Sequence, residues 1–269
     1  MQLVIDDPDI IEEEDKEQGI GIFEPGAFVE RGIEPSRLTS ILFIVLAGWL
    51  LMFAILFVMM IPMVFIIGPY GVMTDPWALL ILTAAEVGFV VPPLWYVKKQ
   101  GISIKSLGIR NMTSIPDIGL GLVFGILMLG ANLVISWIIE TGIPGSGGDA
   151  NIFFPFSGTS LYIWLVSWIF AMFVLVGFTE ELMFRGFLQR RLEIIYRTKQ
   201  SKNFRLIALV ITSLVFAVVH LDLIGLPTRF VLGLFLGYLA QRRNYSILGP
   251  TVAHGFNNSM VIILTLLIP

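Results

Sequence analysis

The sequence predicts an all-α, polytopic integral membrane helix bundle with about 7–8 transmembrane helices. Three observations carry this. Hydrophobic residues make up 56% of the 269, and the mean hydropathy is +0.87. Only 14% are Asp, Glu, Lys or Arg, against about 25% in an ordinary soluble domain. Long apolar runs alternate with short charged loops, and a helix needs roughly 20 apolar residues to cross about 30 Å of hydrocarbon. A soluble globular domain, a disordered chain and a nucleic-acid partner are all excluded by that composition.

The elements follow in order. Residues 1–37 hold 11 of the 20 acidic side chains and 3 of the 17 basic ones. This segment reads as an acidic, disordered tail. It has no basic start and no apolar h-region, so it is not a secretory signal. The membrane domain is 38–269. Its apolar runs are 41–68, 77–97, 118–139, 161 to a charged end near 189, 206–223, 229–241 and 247–268. The first is long enough to tilt strongly or to break at Pro62, which would raise the count from seven to eight.

Basic residues orient the chain. They gather in the loops after the second, fourth and sixth runs, at Lys98, Lys99, Lys105 and Arg110, at six positions from Arg190 to Arg205, and at Arg242 and Arg243. Loops rich in Lys and Arg mark the cytoplasmic side. The expected location is the cell membrane, as a multi-pass protein in a lipid bilayer. Gly121 with Gly125 and Gly233 with Gly237 form G-x-x-x-G pairs and read as close helix packing.

Cysteine is absent, so thiol chemistry is excluded, and the only histidines are His220 and His254. Ionisable groups inside a bilayer are costly and each needs a reason. They are Glu86, Glu180, Glu181, Arg185, His220 and His254, joined by the neutral Asn132 and Asn258. Glu180 and Glu181 are adjacent, so a helix turns them about 100° apart and gives them different partners. Glu181 and Arg185 stand four apart in the favourable order for a helical ion pair. His254 and Asn258, also four apart, share one face.

Such a set suits hydrolysis of a peptide bond. A glutamate accepts a proton from water, a neighbouring histidine holds that water, and a His–Asn pair donates to the developing oxyanion. The same glutamate with two histidines also suits a catalytic zinc, although the H-E-x-x-H signature is missing. A non-enzymatic membrane immunity or partner protein, whose polar cluster only holds helices together, is the third reading.

The order E-E-x-x-x-R (Glu180, Glu181, Arg185, followed by Gly186), F-x-x-x-H (Phe216, His220) and H-x-x-x-N (His254, Asn258) resembles the CAAX prenyl protease and bacteriocin-processing family of intramembrane endopeptidases. The resemblance covers a core of about 160–260, and the segment 101–110 resembles the loop that often precedes it. It implies that Glu180 and His220 activate water, that His254 and Asn258 stabilise the oxyanion, and that Glu181 and Arg185 support them. It further implies a protease without a metal or other cofactor, and a peptide or protein substrate, with a C-terminal prenyl group in the eukaryotic members. One tension is left open. Counting along the runs puts Glu180 and His220 late in two segments of opposite direction. For the two to meet, the fourth segment must begin deeper or continue past the bilayer to about Tyr196, or the fifth must sit low.

Overall fold

The computed structural model describes residues 37–109, 112–143 and 158–267. The acidic tail expected over 1–37 lies outside the described residues, apart from Arg37. Every regular element among the described residues is helical. Among the described residues these are seven long helices, α1 Leu38–Thr74, α2 Pro76–Lys99, α3 Ile115–Gly142, α4 Thr159–Thr198, α5 Phe204–Val218, α6 Leu226–Arg242 and α7 Leu248–Leu267, and a short 3₁₀ turn, Ile104–Leu107. Helices α1 to α4 are each long and apolar enough to cross a membrane. The others are shorter or carry more polar side chains.

Helix α1 runs straight through Pro62 and breaks instead at Gly68, where φ is 76° and ψ is 163°. The reason is local. Gly68 precedes Pro69, whose ring disfavours helical geometry in the residue before it, and glycine alone enters positive φ without penalty. Helix α2 starts on Asp75, whose carboxylate accepts the N–H groups of Trp77 and Ala78 at 2.9 Å, with Pro76 at the first helical position. Its middle, Thr83–Phe89, tightens to 3₁₀ geometry just before Pro92 and Pro93, which offer no N–H to the carbonyls behind them. At Gly88 a Cβ would stand 2.4 Å from the backbone nitrogen of Met52, so this glycine lets α2 lie directly on α1.

The core surrounds the second half of α4. Leu182, Met183, Phe184, Phe187 and Leu188 are buried together with Ile41, Val97, Leu107, Ala208 and Ile247. The loop between α2 and α3 docks on this helix. Arg190 Nη1 donates to the carbonyl of Ser106 at 2.9 Å, and at Gly186 a Cβ would meet the carbonyl oxygen of Leu107 at 2.1 Å. The G-x-x-x-G pairs do pack closely. A Cβ at Gly121 would meet the carbonyl of Gly249 on α7 at 2.6 Å, and one at Gly233 would meet Ser213 on α5 at 3.0 Å.

Two polar clusters tie the ends of these helices. Asp117 of α3 receives Arg243, and also Ser246 at 2.9 Å. Glu193 of α4 receives Arg205 at 3.3 Å, Gln241 at 3.2 Å and the hydroxyl of Tyr245. Both carboxylates are buried, and buried acids persist where such donors satisfy them.

Candidate active site

Helix α4 positions the central acid. It does not stop near 189 but continues to Thr198, so Glu180 falls near its middle. With α4 continuing past 189, Glu180 and His220 come within 3.9 Å of one another. The short α-helical piece Phe178–Glu181 is flanked by two π-helical stretches, Met172–Gly177 and Leu182–Gln189. Such wide turns recur at functional sites because they re-aim side chains.

Glu181 and Arg185 form the expected ion pair, Nη1 to Oε1 at 2.8 Å, with both side chains fully buried. Arg185 also reaches the carbonyl of Gly233 at 3.4 Å and lies 4.5 Å over the ring of Phe216. The same Oε1 of Glu181 lies 2.9 Å from Nδ1 of His254. Glu181 is therefore an anchor for two cationic or donor groups, on its own helix and on α7.

Glu180 faces the other way, into a cavity of about 540 Å³. Its Oε1 is 3.9 Å from Nε2 of His220, and its Oε2 is 3.8 Å from Nε2 of His254. Both separations exceed a direct hydrogen bond and match groups that share a small bridging molecule. His220 sits in the turn after α5, where Nδ1 is 2.7 Å from the carbonyl of Phe216. A carbonyl only accepts, so Nδ1 carries the proton and the neutral ring presents a lone pair at Nε2. The ring of Phe216 stands edge-on to both histidines, at 5.0 Å from His220 and 5.9 Å from His254. Asn258 lines the same cavity. Its Oδ1 accepts from Nδ2 of Asn257 at 3.1 Å, and an amide with its oxygen so engaged offers N–H donors.

The structure thus brings Glu180, His220, His254 and Asn258 to one cavity and places Glu181 and Arg185 directly behind it. It also adds residues that the sequence does not assign. Glu86, from the 3₁₀ stretch of α2, and Arg229, from the first turn of α6, line the cavity, as do Asn132 and Asn257. Glu86 was legible only as an acid in an apolar run; its place on the cavity wall was not. Trp168, Met172, Val176, Val261 and Ile262 give the cavity an apolar side. No group of three His, Asp or Glu side chains is arranged around a metal position among the described residues.

The fold and the site define a helical membrane protein with a buried carboxylate set between two imidazoles. Residues 162–260 match the family model described as Rce1-like, type II CAAX prenyl endopeptidase Rce1-like. That is well under half of the chain, and it contains all three motifs. No curated protein and no solved structure matches the chain.

Proposed function

We propose that the protein is an intramembrane endopeptidase that hydrolyses a peptide bond with water activated by Glu180 and without a metal ion. The carrying observation is the placement of the two Glu180 oxygens, 3.9 and 3.8 Å from the Nε2 atoms of His220 and His254, at the wall of one cavity. The family match over 162–260 supports peptide hydrolysis and a substrate of the prenylated C-terminal kind.

In this reading a water sits between Glu180 and His220. Glu180 takes one of its protons while the lone pair of His220 Nε2 accepts the other hydrogen, and the oxygen attacks the scissile carbonyl. The C–O bond forms as the carbonyl becomes an oxyanion. With Nδ1–H committed to Glu181, His254 donates to that oxyanion when Nε2 also carries a proton, and the Asn258 amide is the second donor. Collapse breaks the C–N bond, and Glu180 returns its proton to the leaving amine.

The membrane topology belongs to the same proposal. Only residues 69–74 of α1 follow the break at Gly68, too few to cross a bilayer. This favours seven spans over eight, with the Lys- and Arg-rich loops on the cytoplasmic face of the cell membrane.

The test is mass spectrometry on a farnesylated Cys-a-a-X peptide incubated with detergent-purified wild type and with Glu180→Gln. Tripeptide release by wild type, lost by more than a thousandfold in a variant with an unchanged unfolding midpoint, is expected. Activity that chelators abolish and zinc restores would replace the metal-free mechanism. A variant that loses stability but not activity would make the cluster structural.

A further inference from the structure

Arg229 has no part in the chemistry above, yet it lines the cavity that holds Glu180 and His220. It is the one Lys or Arg among the described lining residues. Its placement is built rather than incidental. Asp222 accepts the N–H groups of Ile224 and Gly225 at 3.1 Å through Oδ1 and holds Arg229 Nη1 at 2.6 Å through Oδ2. The pair lies across Gly225, where a Cβ would come within 2.0 Å of Arg229 Nη1 and 2.5 Å of Asp222 Oδ2. A side chain at 225 would push the guanidinium off this seat. The pair is only partly covered, at 30% and 44% exposure, so it stands at the mouth of the cavity. Asp222 engages one edge of the guanidinium, and the planar fork has five donors.

We propose that Arg229, seated on Gly225 and braced by Asp222, binds the C-terminal α-carboxylate of the substrate peptide. This rests on the endopeptidase reading and extends it to substrate choice. A fork of N–H donors matches a carboxylate in two-point geometry. Three extended residues span roughly 10 Å, so an anchor at the cavity mouth would set which bond meets Glu180 by counting from the chain end. Cleavage would then be confined to the last few residues of a chain. A lipid phosphate is the competing anion, but Arg229 faces the cavity of the acids and histidines.

The test measures binding of a farnesylated peptide, with a free C-terminal carboxylate or a carboxamide, to full-length Glu180→Gln protein. The acid form should bind about 10- to 100-fold tighter, as for a charge-assisted two-point contact. Adding Arg229→Gln should erase that preference. Adding Gly225→Ala should reduce it while the unfolding midpoint stays unchanged, which covers the event that Arg229→Gln folds poorly. Equal binding of acid and amide, no binding of either, or a preference that survives Arg229→Gln would each overturn the proposal. So would an Arg229→Gln effect confined to affinity for micelles containing an anionic phospholipid. A wild type that binds the acid selectively but cleaves nothing would sink the endopeptidase reading and leave the anchor standing.

Discussion

Nδ1 of His254 lies 2.9 Å from Oε1 of Glu181. That oxygen also holds Arg185, so one buried carboxylate fixes the imidazole that faces Glu180 and the guanidinium that faces Phe216. Adjacent glutamates thereby divide the work. One points into the cavity, and the other holds the groups around it.

Removing Glu181 therefore has two separable effects. Stripping one member of a buried pair typically costs about 3–5 kcal/mol, and Glu181→Ala should lower the unfolding free energy by about that much. Replacing both members, as Glu181→Met with Arg185→Met, should recover much of the stability. Activity should stay at least tenfold down, because His254 has still lost its anchor. Denaturation and peptide cleavage measured on the same preparations distinguish the two effects; full activity in the double variant would refute the orienting role.

Asn258 acts, in the proposed mechanism, only when charge develops on the carbonyl oxygen. Asn258→Ala should lower kcat by about 10²- to 10³-fold with KM within a few-fold of wild type. A rise in KM at constant kcat would instead make Asn258 a ground-state contact.

Gly186 carries a structural prediction. Its missing side chain admits the carbonyl of Leu107, and backbone cannot move aside as a flexible side chain can. Gly186→Ala should destabilise by about 1–3 kcal/mol, read from unfolding in detergent. No change would mean that the docked loop yields freely.

The Asp222 turn should respond to acid. Its hydrogen bond from Arg229, joined by the N–H groups of Gly225 and Ile224, holds its carboxyl below the usual range. A lowered folded-state value contributes stability above the unfolded value of about 3.9, and that stability is lost as pH falls through the lower folded value. The gap in unfolding midpoint between wild type and Asp222→Asn should be full at pH 6 and should close below about pH 4. A gap that widens in acid would contradict this pairing.

Much of this was legible in the chain itself. Hydropathy locates all seven helices, because each must carry its own apolar surface. The four-residue spacings of Glu181 with Arg185 and of His254 with Asn258 place each pair on a common face. The sequence offers Pro62 as the point where α1 could break if it did not tilt; the break lies at Gly68, since a proline alone does not decide a kink and the Gly68–Pro69 pair supplies the geometry. The extension of α4 past 189 is one of three ways the sequence offers for Glu180 to meet His220, and it is not singled out there because Arg190, Arg191 and Glu193 look like a solvated end. Arg190 is buried against the loop at Ser106, Arg191 over the ring of Tyr96, and Glu193 among Arg205, Gln241 and Tyr245. Glu86 and Arg229 reach the cavity from elements whose meeting no local pattern records.

The wide turns of α4 carry one more consequence. A π turn spends one residue more than an α-helical path of the same rise. Deleting a single residue from Met172–Gly177 would let that stretch rewind to ordinary geometry. The halves of α4 would then keep their relative phase, whereas the same deletion from the α-helical stretch Thr159–Ala171 would turn all that precedes it by about 100° against Glu180. The wide turn therefore absorbs a change in residue number that a regular helix would pass on to the acid, a property that neither hydropathy nor the identity of any one side chain contains.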